Sequence, residues 1–280
     1  MIYHTPLVSC ETLFEHIDDP RWVVFDCRHD LADPNAGPTA FGKGRIPGAH
    51  HAHIDHDLAG PVGNGSKGRH PLPLAGAFVR FLRTHGVNQD SQVVCYDDAG
   101  GMWAGRLWWP LRHYGHENVA VLDGGLARWK ALDLALTTEH TPSKEGDFEG
   151  EPGHMPTITA DQALDVPTLV DSRAPERYSG AVEPMDPVAG HIPGAINLPF
   201  GGNLAPDGLF LSPDELRARF EDLDTPAFYC GSGVTAAHNV LAMDVAGLPM
   251  PALYPGSWSE WCQPAAGRPV ATADASGEEE

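Results

Sequence analysis

The stretch Ala227-Phe228-Tyr229-Cys230-Gly231-Ser232-Gly233-Val234-Thr235-Ala236 ends a short apolar run on a cysteine, breaks it with two glycines and leads into a helical pattern. Downstream, Val234, Ala237, Val240, Leu241, Val245 and Leu248 recur at helical spacing. Cys230 therefore falls at a strand-to-helix switch, where parallel α/β sheets present their ligand sites. Backbone N–H groups of a tight loop and of a first helical turn converge on negative charge there, which lowers a thiol pKa from its free value of about 8.5. A cysteine so placed serves as a reactive thiolate; the competing reading is a small, inert, buried hydrophobe. Cysteine phosphatases share the strand-loop-helix but need an arginine six residues after the cysteine to grip phosphate, and Ala236 occupies that position.

The cysteine stretch has a degenerate copy. Asp98-Ala99-Gly100-Gly101 reads against Cys230-Gly231-Ser232-Gly233, and at the same offset Val121 to Trp129 reads against Leu253 to Trp261. Val24-Phe25-Asp26-Cys27-Arg28 pairs with Val170-Asp171-Ser172-Arg173, and Gly44-Arg45-Ile46-Pro47-Gly48-Ala49 pairs with Gly190-His191-Ile192-Pro193-Gly194-Ala195. Two copies of one α/β unit follow. Strand candidates at 22–25, 93–96, 168–170 and 226–229 alternate with helical patterns at 74–85 and 212–221, the latter with Ser212 as cap and Pro213 in the first helical position. Each copy is thus expected to be a mostly parallel sheet with helices on both faces. The Pro-, Gly-, Glu- and Thr-rich stretch 138–155 reads as a linker between a domain at 1–137 and one at 156–269, with an acidic, disordered tail at 270–280.

At 280 residues and 42% hydrophobic content the chain can fill two cores. Its formal charge of −20 argues against nucleic acid or an anionic membrane as partner. Five cysteines, odd in number and without a CxxC pair, suggest neither a disulfide framework nor a zinc site and fit a reducing cytosol. The start, Met1 to Asp18, has no basic and apolar leader, and no run approaches a membrane span, so a soluble cytoplasmic protein is expected. His50, His51, His53 and His56 could converge on a metal, but Asp55 and Asp57 beside them suit a polar loop equally, and no metal is assigned. Arg28 and Arg173 are expected to pair with Asp26 and Asp171 and pin the next loop.

From about Val8 to Pro269 the chain resembles the two-domain sulfurtransferases of the rhodanese superfamily. The DxR strand ends, both Ile-Pro-Gly-Ala turns and the tryptophan-bearing endings fall in order, and the loop Cys-Gly-Ser-Gly-Val-Thr-Ala matches the 3-mercaptopyruvate sulfurtransferase branch. The resemblance implies two tandem rhodanese-like domains, of which only the second is catalytic, Asp98 standing in the cysteine position of the first. It implies ping-pong transfer, in which Cys230 takes sulfur from a small anionic donor, holds it as a persulfide and yields it to a thiol, thioredoxin or cyanide. Gly231, Gly233, Val234 and Thr235 would line the anion site, and no cofactor is needed because the sulfur rides on the protein. Ser232, His70 and Asp55 match the family's proton relay, with His70 and Asp55 coming from the first domain. Arg177 matches a carboxylate-gripping arginine, and Tyr254 and Trp258 are candidates for a wall of the donor pocket. The second arginine usual in the branch has no counterpart in Glu183-Pro184-Met185-Asp186-Pro187, which leaves thiosulfate open as the main donor. A non-catalytic binding module on the same fold is the remaining alternative, against which stands the intact loop of the second copy. A monomer is expected.

Overall fold

The computed structural model describes residues 3–63 and 66–272 and forms two compact units. The first comprises residues up to Gly60, Leu72–Met155 and Leu204–Phe210; the second comprises Pro61–Pro71, Pro156–Asn203 and the residues from Leu211 onward.

In the first unit the order is β1 (Leu7–Val8), α1 (Cys10–Glu15), β2 (Trp22–Asp26), α2 (Ala36–Lys43), β3 (Ala49–His51), α3 (Ala75–Thr84), β4 (Gln92–Tyr96), α4 (Met102–His113), β5 (Val119–Leu122) and α5 (Gly125–Ala131). The five strands pair in parallel as β1-β5-β4-β2-β3. The central strands β2 and β4 are buried along their whole length, which is why they read as continuous apolar runs and not as alternating ones. Helix α4 is buried almost throughout, with Trp103, Trp108 and Trp109 among its core side chains.

The second unit runs β6 (Thr168–Asp171), α6 (Pro175–Tyr178), β7 (Ile196–Asn197), α7 (Pro213–Phe220), β8 (Pro226–Tyr229), α8 (Thr235–Val245), β9 (Ala252–Leu253) and α9 (Ser257–Trp261). Its sheet, β7-β6-β8-β9, is again all parallel. A single parallel bridge from Thr157 to Leu253 stands where β1 lies in the first unit, so the two topologies correspond strand for strand. Ser212 caps α7 as expected: its Oγ accepts the Glu215 N–H, while the Glu215 carboxylate accepts the Ser212 N–H at 2.9 Å, a reciprocal capping box.

Both DxR arginines close on their aspartates. Arg28 Nη2 lies 2.6 Å from Asp26 Oδ2 and also donates to the Gly44 carbonyl at 2.8 Å. Arg173 repeats this with Asp171 at 2.6 Å and the Gly190 carbonyl at 2.7 Å. Each guanidinium thereby ties a strand end to the turn ahead of the next strand.

Four segments depart from the expected division. The stretch 138–155 lies along the first unit: the N–H groups of Gly146 and Phe148 donate to Arg83 and Val87, and the Phe148 ring is fully buried. Residues 61–71, and His70 with them, fold into the second unit, whereas 204–210 fold into the first, where the Phe210 N–H donates to Asp123 at 2.8 Å. At the far end, Ala271 pairs with His191 through both backbone hydrogen bonds, so the described structure of the second unit runs past Pro269. Residues 273–280 of the expected acidic tail lie outside the described residues.

Candidate active site

Strand β8 delivers Cys230 to the loop that precedes α8, and the β9–α9 corner clamps this loop from behind. The Cys230 N–H donates to Ser257 Oγ at 3.1 Å, and Ser257 Oγ in turn donates to the Tyr254 carbonyl at 2.9 Å. The Cys230 carbonyl accepts the Trp258 N–H and the Gly231 carbonyl the Ser259 N–H, both at 2.9 Å. With its backbone so fixed, the loop turns at Gly233, whose φ of 78° lies in the left-handed region that glycine enters without strain. That turn aims the Gly233 N–H at Cys230 Sγ, 3.1 Å away. Val234 caps α8 and Thr235 opens it, so the partial positive charge of the helix start lies close by. Cys230 is only 2% exposed, which shields its Sγ from bulk water.

Gly68, Arg69 and His70 pack on this loop and its clamp. Gly68 approaches so closely that an added Cβ would meet the Gly256 carbonyl oxygen at 2.5 Å. The Arg69 N–H donates to Ser259 Oγ at 2.9 Å, and His70 Nδ1 lies 2.7 Å from Ser232 Oγ, both side chains of the latter pair being buried. The structure thus brings together Cys230, Gly231, Ser232, Gly233 and His70 within one unit. Asp55 belongs to the first unit, where its carboxylate lies 3.9 Å from both His29 Nε2 and His53 Nδ1.

Beside the loop runs a ladder of alternating charge. Asp171 holds Arg173; Arg173 Nη1 reaches Glu183 at 3.3 Å; Glu183 grips Arg177 at 2.8 Å; Arg177 reaches Asp186 at 3.0 Å; and Asp186 binds Arg69 at 2.6 Å. Burial alone would lower the Arg173 pKa, but Asp171 and Glu183 outweigh it and raise the pKa instead. Arg177, expected from sequence, therefore stands next to Arg69, which was not. Its partner Asp186 lies 117 residues further along the chain, so nothing local in the sequence marked it.

The first unit shows what the same loop becomes without a cysteine. Tyr96 OH accepts the Ile46 N–H as Tyr229 OH accepts that of Ile192, and the Asp97 carbonyl accepts the Leu126 N–H as the Cys230 carbonyl accepts that of Trp258. The counterpart of Cys230 is therefore Asp97, not Asp98; the repeat read from the loop glycines is one residue out of step with the strands. The Asp97 carboxylate accepts four loop amides, those of Ala99 and Gly101 on one oxygen and of Trp103 and Ala104 on the other, at 2.7–2.9 Å.

Tyr254 and Trp258 are fully buried members of the second core, the Trp258 ring packed under the Arg173 guanidinium at 4.7 Å. Cys262 is a packed free thiol, its pKa pushed up to about 11 chiefly by burial. Among the described residues, one group with metal-ligand geometry occurs, His29, His53 and Asp55. Both His53 nitrogens there already meet backbone groups, Nδ1 accepting the Asp55 N–H and Nε2 facing the Pro34 carbonyl. No helix among the described residues is long and apolar enough to cross a membrane.

A family model described as a rhodanese-like domain matches residues 9–132 and 158–264. A Pseudomonas aeruginosa protein named "Probable 3-mercaptopyruvate sulfurtransferase" is 46% identical over 280 residues, covering 96% of this chain and 98% of that protein. A thiosulfate sulfurtransferase of Rattus norvegicus is 37% identical over 281 residues, covering 93% of each. Among solved structures, the 3-mercaptopyruvate sulfurtransferase from Leishmania major superposes with a TM-score of 0.80 at 30% identity, covering 92% of this chain and 75% of that one.

Proposed function

The chain belongs to the family of rhodanese-like domain proteins, and from that premise we propose that it is a sulfurtransferase that takes sulfur from 3-mercaptopyruvate onto Cys230 and passes it to a thiol, thioredoxin or cyanide. The observation that carries this reading is the clamped Cys230 loop, with the Gly233 amide on Sγ and Arg177 alongside.

The Cys230 thiolate attacks the sulfur of the donor, and a new S–S bond forms. The donor's C–S bond breaks, its electron pair stays on carbon as the pyruvate enolate, and a proton passed through Ser232 and His70 quenches that carbanion to pyruvate. In the second half-reaction an acceptor nucleophile attacks the outer sulfur of the persulfide, and Cys230 leaves as the thiolate. The Gly233 amide and the start of α8 stabilise the thiolate and then the anionic persulfide. Arg177 grips the donor carboxylate.

The second unit is the catalytic one, because Cys230 presents a nucleophile where the first unit presents a carboxylate already bound by its own loop. Thiosulfate is the rival donor, left open by the lack of a second arginine in Glu183 to Pro187. The deciding experiment incubates the protein with 3-mercaptopyruvate or thiosulfate and weighs the Cys230 peptide for the gain of one sulfur atom. A larger kcat/KM for 3-mercaptopyruvate and a dead Cys230→Ser variant support the reading; full turnover in Cys230→Ser overturns it.

A further inference from the structure

We infer that Arg69 supplies a second guanidinium for the donor's carboxylate, opposite Arg177, and so sets the choice of donor. This rests on the sulfurtransferase reading above. Three observations carry it. First, both guanidinium groups reach Gly231, the residue after the nucleophile: a Cβ placed on it would lie 3.2 Å from Arg177 Nη1 and 3.2 Å from Arg69 Nη2. Two guanidinium arms from different chain segments thus converge beside the reacting sulfur's own loop.

Second, Asp186 holds both arginines by the opposite pair of arms. Its Oδ1 binds Arg69 Nη1 at 2.6 Å and its Oδ2 binds Arg177 Nη2 at 3.0 Å, and its side chain is only 3% exposed. One buried carboxylate therefore spaces the two cations, leaving Arg177 Nη1 and Arg69 Nη2 turned toward Gly231. Asp186 acts here as a positioning residue. Third, Arg69 Nε is buried and has no hydrogen-bond partner among the described residues. A desolvated donor on a permanent cation is costly unless an acceptor arrives.

The ladder contains three guanidinium groups and three carboxylates, so it brings no excess charge to the site. An anion is held there by directed N–H groups and not by a net field. A planar carboxylate can take one arm on each oxygen, and the α-keto acid of 3-mercaptopyruvate offers that group within reach of a sulfur bound at Cys230.

The test is steady-state kinetics of the full chain with 3-mercaptopyruvate and a thiol acceptor, for the parent, Arg69→Ala, Arg69→Lys and Asp186→Asn. Arg69→Ala should raise KM about tenfold to a hundredfold with little change in kcat. Arg69→Lys should recover part of the loss, since it restores charge without the fork. Asp186→Asn should raise KM and spare kcat. Transfer from a preformed Cys230 persulfide to the acceptor should be unchanged in all three. If Arg69→Ala fails to fold, Arg69→Gln, which still reaches Asp186, gives the same readout. An unchanged KM in the folded Arg69 variants overturns this inference and leaves the sulfurtransferase reading standing. A parent protein that forms no Cys230 persulfide from 3-mercaptopyruvate overturns both.

Discussion

Asp97 holds in the first unit the place that Cys230 holds in the second, and its carboxylate fills the nest of loop amides that surrounds it. Two oxygens take four N–H groups there, while the Sγ of Cys230 takes that of Gly233. The first loop is an anion site closed by its own chain. Asp97→Ala would leave those amides without their acceptor and should lower unfolding free energy by about 2–4 kcal/mol. Urea denaturation checks this. Turnover per folded molecule should not change, because the four N–H groups on the Asp97 carboxylate all come from its own loop and the start of α4. A variant as stable as the parent would mean that the amides find other partners, and the carboxylate plug would lose its structural role.

That one-residue displacement shows where sequence reading reached and where it stopped. The strands β2, β4, β6 and β8 were legible because buried parallel strands carry continuous apolar runs, and the DxR and Ile-Pro-Gly-Ala repeats marked both copies. Aligning loop glycines misplaced Asp98, since loops change length while the Tyr96 and Tyr229 hydroxyls keep the strand register. The stretch 138–155 looked like a linker because it is held by backbone hydrogen bonds and one ring, Phe148, which leave no periodic pattern. Arg69 was invisible for a related reason: its partner Asp186 is far along the chain, and only folding brings them together.

Stability should fall in mild acid. Burial pulls the His116 pKa down to about 4, against backbone acceptors at Ser91 and Asn118 that raise it, and its ring stands edge-on to Phe148 at 5.3 Å. His50 is likewise pulled down to about 4, by burial first and then by His85. The unfolded chain takes up these protons near the ordinary histidine value of about 6.5. The contribution is therefore fully present above that pH and is lost as pH falls toward about 4. At about 1.4 kcal/mol per pKa unit, the buried His116 accounts for about 3 kcal/mol. Urea midpoints at about pH 7.5 and about pH 5 capture the part lost above pH 5, about 2 kcal/mol. His116→Phe should flatten the dependence; an equal slope in that variant would assign it to other groups.

Gly231→Ala probes the donor cradle without removing any charge. The new methyl would press on Arg177 Nη1 and Arg69 Nη2, both at 3.2 Å and both at the ends of flexible side chains. Those ends can yield, so melting temperature should barely move. The same yielding turns both arms away from the donor, so KM for 3-mercaptopyruvate should rise several-fold while kcat holds. A fall in kcat at constant KM would place the damage at Cys230 itself.

Ser232 and His70 should matter for one donor and much less for the other. With 3-mercaptopyruvate the leaving group is a carbanion that needs a proton, and in the proposed mechanism the pair Ser232 Oγ and His70 Nδ1, 2.7 Å apart, delivers it. With thiosulfate the bond that breaks releases sulfite, a stable anion that leaves without protonation. Removing a positioned proton donor typically costs at least about a hundredfold. Ser232→Ala should therefore lower kcat by about that factor with 3-mercaptopyruvate and only several-fold with thiosulfate. Parallel losses with both donors would give the pair a different task, holding segment 61–71 against the cysteine loop, and His70→Asn would then lower stability along with activity.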